Sequence, residues 1–212
     1  DIDQLYRAIR DKYPKVPLYT VGFSLGGNIM LKWLAEEANN IVLNGSVAVS
    51  VPYKLANCAD RVDKGFSKLY RYHLISAMKK KLTRKRLFFK ENKLQAEWEK
   101  LTALGDISHI KSFWEFDNEV VARLHGFDDV HDYYKKNSSI GFLKDITTNT
   151  LLIHALDDPF MMPSILPSQP ELSKTTQLTT TKYGGHVGFL TNEQMGKIGF
   201  WLESRILKFL KK

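Results

Sequence analysis

The sequence predicts an α/β fold: a mostly parallel sheet with helices on both faces, interrupted by an all-helical insertion. Three observations carry this. Helix and strand patterns alternate over residues 1–52, the strand pattern vanishes over 53–141, and the alternation resumes over 142–212. With 212 residues, 43% of them hydrophobic, the chain can bury one substantial core. Helix and strand in alternation imply parallel strands joined by right-handed crossovers.

Ile2, Leu5, Tyr6 and Ile9 recur at helical spacing, and Pro14 and Pro17 end that helix before a short apolar strand, Leu18 to Val21. Gly26 and Gly27 then lead into Ile29, Met30, Leu31, Trp33, Leu34 and Ala38, a helical apolar face. The run Val47, Ala48, Val49 and Val51, closed by Pro52, reads as the next strand. From Tyr53 to Gly141, basic, aromatic and aliphatic residues alternate at helical spacing, so the segment reads as an inserted helical cap. Thr150 to Ala155 is a buried strand, Gln177 to Tyr183 a threonine-rich one, and Met161 to Pro170 irregular connecting chain. A last helix is expected from about Thr191 to Leu210, with Ile198, Phe200, Trp201, Leu202, Ile206 and Phe209 on or near its buried face.

No apolar stretch reaches 18 residues and no signal-peptide pattern opens the chain, so it reads as soluble. The single cysteine, Cys58, allows no intramolecular disulfide, and a cytoplasmic setting is the simplest fit. The net charge of +8 is concentrated rather than spread. Lys79, Lys80, Lys81, Arg84, Lys85 and Arg86 place six cations in eight residues, beside apolar Leu82, Leu87, Phe88 and Phe89. That segment reads first as a solvated helix face, second as a contact for an anionic membrane surface, and third as a nucleic-acid contact.

The pentad Gly22-Phe23-Ser24-Leu25-Gly26 lies between a predicted strand and a predicted helix. There a sharp turn lifts the serine hydroxyl above the strand ends, and glycines two residues to either side would let the backbone approach its neighbours closely. The Leu25 amide, at the helix N-terminus, would point at a developing oxyanion. A serine hydroxyl is a weak nucleophile, so it needs a histidine base and an acid to hold that base's tautomer. Asp157 and Asp158 follow the strand that ends at Ala155, and His186 lies in the glycine-rich loop Gly184-Gly185-His186-Val187-Gly188-Phe189. Both belong to the rim that carries Ser24. Asp158, directly before Pro159, is the chosen acid and Asp157 the alternative.

The other histidines carry blander readings. His154, inside an apolar strand, reads as a satisfied core residue, and His73 and His109 have no acidic or histidine partner at ligand spacing. His125 and His131 with Asp128, Asp129 and Asp132 imitate a metal cluster without a defensible ligand spacing. Cys58 reads as structural.

Three segments together resemble the YheT-like branch of the α/β-hydrolases: Gly22-Phe23-Ser24-Leu25-Gly26-Gly27-Asn28, His154-Ala155-Leu156-Asp157-Asp158-Pro159-Phe160 and Gly184-Gly185-His186-Val187-Gly188-Phe189. Lys64-Gly65-Phe66-Ser67, Glu115-Phe116-Asp117, Arg123-Leu124-His125-Gly126-Phe127 and Asp132-Tyr133-Tyr134 resemble that branch's cap. The resemblance implies a serine esterase acting on short- or medium-chain acyl esters, with acylglycerols or phospholipids as substrates in related members. It also implies roughly a hundred residues before the elbow, including first strands and a loop that supplies a second oxyanion amide. Only 23 residues precede Ser24, so a truncated chain is expected, its elbow strand open at one edge. Loss of one oxyanion donor would raise the barrier by about 2.7 to 4 kcal/mol.

The expectation is therefore ester hydrolysis through an acyl-enzyme, with Ser24 as nucleophile, His186 as base, Asp158 as orienting acid and Leu25 N–H as oxyanion donor. It needs no metal or organic cofactor, and aromatic residues of the cap would line an acyl pocket. The alternatives are an acyltransferase or thioesterase with the same triad, or a non-catalytic module that binds anionic surfaces.

Overall fold

The computed structural model describes residues 1–193 and 197–211. In chain order the elements are α1 (Ile2–Lys12), β1 (Tyr19–Phe23), α2 (Ser24–Glu36) and β2 (Gly45–Val49), followed by helices α3 (Leu55–Val62), α4 (Ser67–Glu91), α5 (Gln95–Thr102), α6 (Phe113–Phe116), α7 (Arg123–His125) and α8 (Val130–Asn137). Then come β3 (Thr150–Ala155), β4 (Thr176–Thr181), β5 (Leu190–Glu193), β6 (Lys197–Phe200) and α9 (Trp201–Leu210). The chain divides into two compact units, Asp1–Leu55 with Asn137–Lys212, and Ala56–Lys136.

The first unit is built on a four-stranded parallel sheet of order β1-β2-β3-β4. Phe23 pairs with Val49, Val49 with Ile153, and Ile153 with Thr179, so the C-terminal ends of the strands share one edge. β2 and β3 are buried along their whole length, as the central strands of a sheet covered on both sides must be. One face presents Val47, Val49, Leu151, Ile153 and Ala155 to Leu202, Ile206 and Phe209 of α9. The opposite face meets α2, where the Ser46 hydroxyl donates to Met30 Sδ, and Leu31 and Leu34 are fully buried. Full burial of each such side chain stabilises the fold by about 1.5–3 kcal/mol.

β1 is an edge strand, and its Tyr19, Val21 and Phe23 are all exposed. α1 buries no residue completely. Polar contacts hold it instead: Arg10 donates to the carbonyls of Pro14, Val16 and Val42, and the Tyr6 hydroxyl accepts from Val42 N–H.

The expected last helix is shorter than its periodicity suggests. Residues 190–193 and 197–200 form an antiparallel pair, and the helix begins at Trp201. Trp201 stacks on Phe189 at 5.8 Å, which seats the start of α9, whereas Phe200, expected on or near the buried face, is exposed. Residues 194–196 of the expected helix, and the side chain of Ile198, lie outside the described residues. On α2, Ile29 is 53% exposed and so departs from the expected apolar face.

The second unit contains helices and turns, and among its described residues there is no strand. Ile75 and Leu82 of α4 meet Leu101, Leu104, Ile107, Ile110, Phe116 and Val120. Basic side chains tie down the loop after α5: Arg86 donates to the carbonyls of Leu101 and Gly105, and Lys79 to those of Ser108 and Ile110. The Ser112 hydroxyl and Glu115 form a capping box at the start of α6. Beyond α6, Asp117–Ala122 forms a π-turn, where the Tyr134 hydroxyl donates to Asp117 at 2.7 Å. Burial raises the Asp117 carboxyl to about 6.

Candidate active site

β1 ends at Phe23 and α2 begins at Ser24, so the serine occupies the strand-to-helix turn itself. Ser24 has φ +50, in the left-handed region that costs a residue with a side chain about 1–3 kcal/mol. Close backbone packing sustains the turn. A Cβ on Gly22 would lie 2.7 Å from the Gly27 Cα, and one on Gly27 would lie 2.6 Å from Val51 Cγ2. A Cβ on Gly26 would meet nothing within 4 Å, so Gly22 and Gly27, rather than both glycines of the pentad, set the turn. The Leu25 N–H lies in the first turn of α2, among the donors with no partner inside the helix.

Across the same sheet edge, β3 runs out into Asp157 and Asp158, and the structure gives the two carboxylates different tasks. Asp158 has a fully buried side chain. Its Oδ2 lies 2.7 Å from His186 Nδ1 and its Oδ1 accepts from Phe160 N–H at 2.9 Å. Asp157 is exposed, and its Oδ1 accepts from Gly185 N–H at 2.8 Å, which anchors the loop one residue before the histidine. That loop closes on itself, with the N–H groups of Gly188 and Phe189 both donating to Gly184 O. Gly184 leaves the space that the Phe189 ring fills, since a Cβ there would lie 2.6 Å from Phe189 Cδ1. The Phe160 ring stands edge-on to His186 at 5.1 Å.

His186 follows β4, three strands from the elbow, yet its backbone is drawn back along the sheet edge. The Ser50 hydroxyl, just beyond β2, donates to the His186 carbonyl. This contact brings the histidine loop to the C-terminal end of β2, the strand next to the one that carries Ser24. Ser50 is fully buried and has φ +51. Sequence reasoning missed it, because a serine between valines before a proline carries no signal of its own. Asp158 and His186 are thus brought into contact, with Ser24 on the same edge. Among the described residues no hydrogen bond joins the Ser24 hydroxyl to the His186 ring.

A strained serine at a strand-to-helix turn is thus followed along the chain by an acid and a histidine, each after a later parallel strand. The family described as alpha/beta hydrolase fold matches residues 1–193. This chain belongs to the α/β-hydrolase family. It is 35% identical over 214 residues to YheT of Escherichia coli (strain K12), a protein assigned as an esterase, covering 99% of this chain and 59% of that protein. It is 27% identical over 218 residues to the monoacylglycerol lipase of Saccharomyces cerevisiae, covering 100% of this chain and 46% of the lipase. The chain therefore spans about half the length of the curated relatives it matches. An α/β-fold family hydrolase from Bacillus anthracis superimposes with a TM-score of 0.53 over 99% of this chain and 71% of its own, at 17% identity, and so shares the fold.

Two other histidines of this α/β-hydrolase chain differ from their expected settings. His154 is fully buried, but neither ring nitrogen has a hydrogen-bond partner, so it is a core residue without being a satisfied one. Burial holds its pKa below the ordinary 6.5, the nearby Asp158 opposing that shift and His186 adding to it. His109 has an acidic partner after all: Glu119, ten residues on, lies 2.9 Å from its Nε2. The π-turn supplies that contact, which no regular helical spacing would place. His131 contacts the Trp114 ring at 5.2 Å, Asp129 accepts from Asp132 N–H, and Asp132 pairs with Lys136. Among the described residues no three His, Cys, Asp or Glu side chains converge as metal ligands.

Proposed function

We propose that this chain carries the catalytic centre of a serine hydrolase acting on carboxylic esters through an acyl-enzyme on Ser24. The contact between buried Asp158 and half-buried His186 carries the reading, its two polar groups held at 2.7 Å beside the edge where the strained Ser24 emerges. His186 Nε2 takes the Ser24 proton as the hydroxyl attacks the ester carbonyl, while Asp158 holds the Nδ1–H tautomer and stabilises the imidazolium. The Leu25 N–H, at the positive end of α2, stabilises the oxyanion of the tetrahedral intermediate. His186 then returns the proton to the leaving alcohol, and a water activated by the same ring releases the acid. Catalytic hydrogen bonds are often long before substrate binds, so an unbonded serine in the resting site is compatible with this role.

Short- and medium-chain acyl esters, including acylglycerol-like lipids, are the proposed substrates. The similarity to a monoacylglycerol lipase supports the lipid end of that range. The helical segment 53–141 is the proposed source of acyl selectivity. A cytoplasmic setting is proposed with it, supported by the presence of a single cysteine, Cys58, in the sequence.

The test is hydrolysis of p-nitrophenyl acetate, butyrate and octanoate by the whole protein and its Ser24→Ala variant, with and without added alcohol or thiol acceptors. The expected result is turnover that falls roughly 10^4-fold or more in the variant, with water as the preferred acceptor. Equal turnover by both proteins would refute the role of Ser24, and preferential transfer to an added acceptor would replace the hydrolase with an acyltransferase.

A further inference from the structure

α4 carries the whole net charge of the chain. Its 25 residues hold nine Lys and Arg against one Glu, a balance of +8 that equals the balance of all 212 residues. Some of these cations are occupied within the helical unit: Arg71 pairs with Asp63, while Lys79 and Arg86 hold the loop after α5. Lys80, Lys81, Arg84 and Lys85 are different. All four are exposed, and among the described residues none has a carboxylate partner.

The turn geometry of a helix puts Lys80 and Arg84 in line with apolar side chains, with Lys81 at the edge of the same face. Positions 66, 69, 73, 77, 80 and 84 advance by three or four residues, 87 and 88 lie three and four beyond 84, and all share one outer face. At one end of that stripe Phe66 is 99% and Leu69 73% exposed; at the other Leu87 is 55% and Phe88 54% exposed. Lys80, Lys81 and Arg84 lie between them. Phe66 and Phe88 are separated by about 33 Å along the axis, at 1.5 Å per residue. Beside the stripe runs an open groove of about 530 Å³, lined among others by Lys80, Thr83, Arg84 and Ser108. Its free donors for a phosphate are the cations Lys80 and Arg84, since the Ser108 hydroxyl donates to the Asp106 carboxylate that also lines the groove and the Thr83 hydroxyl to Lys79 O.

We propose that the outer face of α4 is a seat for a bilayer surface carrying anionic lipid. Lys80, Lys81 and Arg84 engage the headgroup phosphates, and Phe66, Leu69, Leu87 and Phe88 enter the headgroup–acyl boundary at the two ends of the helix. Charge complementarity selects an anionic surface, and the aliphatic ends select lipid over nucleic acid. A phosphate backbone rewards the cations but offers nothing to Leu69 and Leu87, whereas an interfacial helix needs both kinds of residue. No helix among the described residues is long and apolar enough to cross a membrane, so the contact proposed is with the surface.

This seat does not depend on the role proposed for Ser24, and the two fail separately. The chain is sedimented with phosphatidylcholine vesicles containing 30% phosphatidylglycerol and with pure phosphatidylcholine vesicles, alongside Ser24→Ala, Lys80→Gln/Lys81→Gln/Arg84→Gln and Leu87→Ser/Phe88→Ser. The chain and Ser24→Ala should bind the anionic vesicles and not the neutral ones. The triple variant should bind about 100-fold more weakly, at about fivefold per cation removed. The double variant should bind about tenfold more weakly at both low and high salt. All the substituted side chains outside the candidate active site are exposed, and thermal unfolding near the wild-type temperature verifies each fold. Equal binding to the two vesicle types, no binding, or an undiminished triple variant would overturn the proposal. So would tighter binding to a DNA or RNA oligonucleotide that the Leu87→Ser/Phe88→Ser variant retains in full, which would assign the face to nucleic acid.

Discussion

Asp157 and Asp158 are neighbours in the chain with opposite exposures, and the catalytic reading depends on the difference. Asp158 is buried against His186, while Asp157 reaches outward to the Gly185 amide. Asp158→Asn should therefore lower ester turnover roughly 10^3- to 10^4-fold, since the amide cannot hold the required His186 tautomer. Asp157→Ala removes one loop contact and should cost about tenfold or less. Steady-state kinetics on one soluble ester decides between them, and a reversed order would move the acid to Asp157. His154 permits a second prediction. Its folded pKa is depressed by burial, so below the ordinary 6.5 the unfolded chain binds a proton that the folded one resists. The stability it contributes is complete above pH 6.5 and is lost as pH falls below that value. His154→Leu should unfold within about 1 kcal/mol of the wild type at pH 7.5, since the ring nitrogens are already unpaired. At pH 5 it should be the more stable of the two. Parallel pH slopes in the two proteins would contradict this. The strand-to-helix turn at Ser24 and the meeting of His186 with Asp158 were legible because each of these residues follows a strand pattern. The sequence did not make Ser50 legible, whose contact with the His186 carbonyl exists only once β2 and β4 lie in one sheet.

At the scale of elements, the strand-to-helix turn of Ser24 shows which glycines the backbone requires. Gly22→Ala would press a Cβ into the Gly27 Cα, and should destabilise the chain by about 2 kcal/mol or more. Gly26→Ala meets open space inside α2, and should be neutral or stabilising by up to about 1 kcal/mol. Chemical denaturation measures both, and equal losses would mean that the flanking glycines act as a symmetrical pair. Strands and helices with strong periodicity were legible: β3 spans Thr150–Ala155 as its apolar run indicates, and α4 emerges from the basic stretch. The segment before α9 was not legible. Phe200 and Trp201 continue a helical spacing that the chain breaks to form the β5–β6 pair, because Trp201 is placed by stacking on Phe189. Tertiary packing there overrides local pattern.

At the scale of the whole molecule, order along the chain and order across the sheet agree. Elbow, acid and histidine follow β1, β3 and β4 of one parallel sheet, with Ser50 after the intervening β2, so four C-terminal strand ends meet on one edge. Charge follows a separate plan, since the basic excess resides on α4 alone and the rest of the chain is balanced. Net charge alone would have suggested a generally basic surface; its position could be read from the sequence, but its alignment with exposed apolar ends required the helix. The central claim is that Ser24 is an activated nucleophile. The most direct test is the mass of the intact protein after incubation with a fluorophosphonate, followed by peptide mapping. One adduct is expected, on Ser24, absent in Ser24→Ala and formed far more slowly in His186→Ala. A folded protein that remains unmodified, or an adduct on another residue, would contradict that claim.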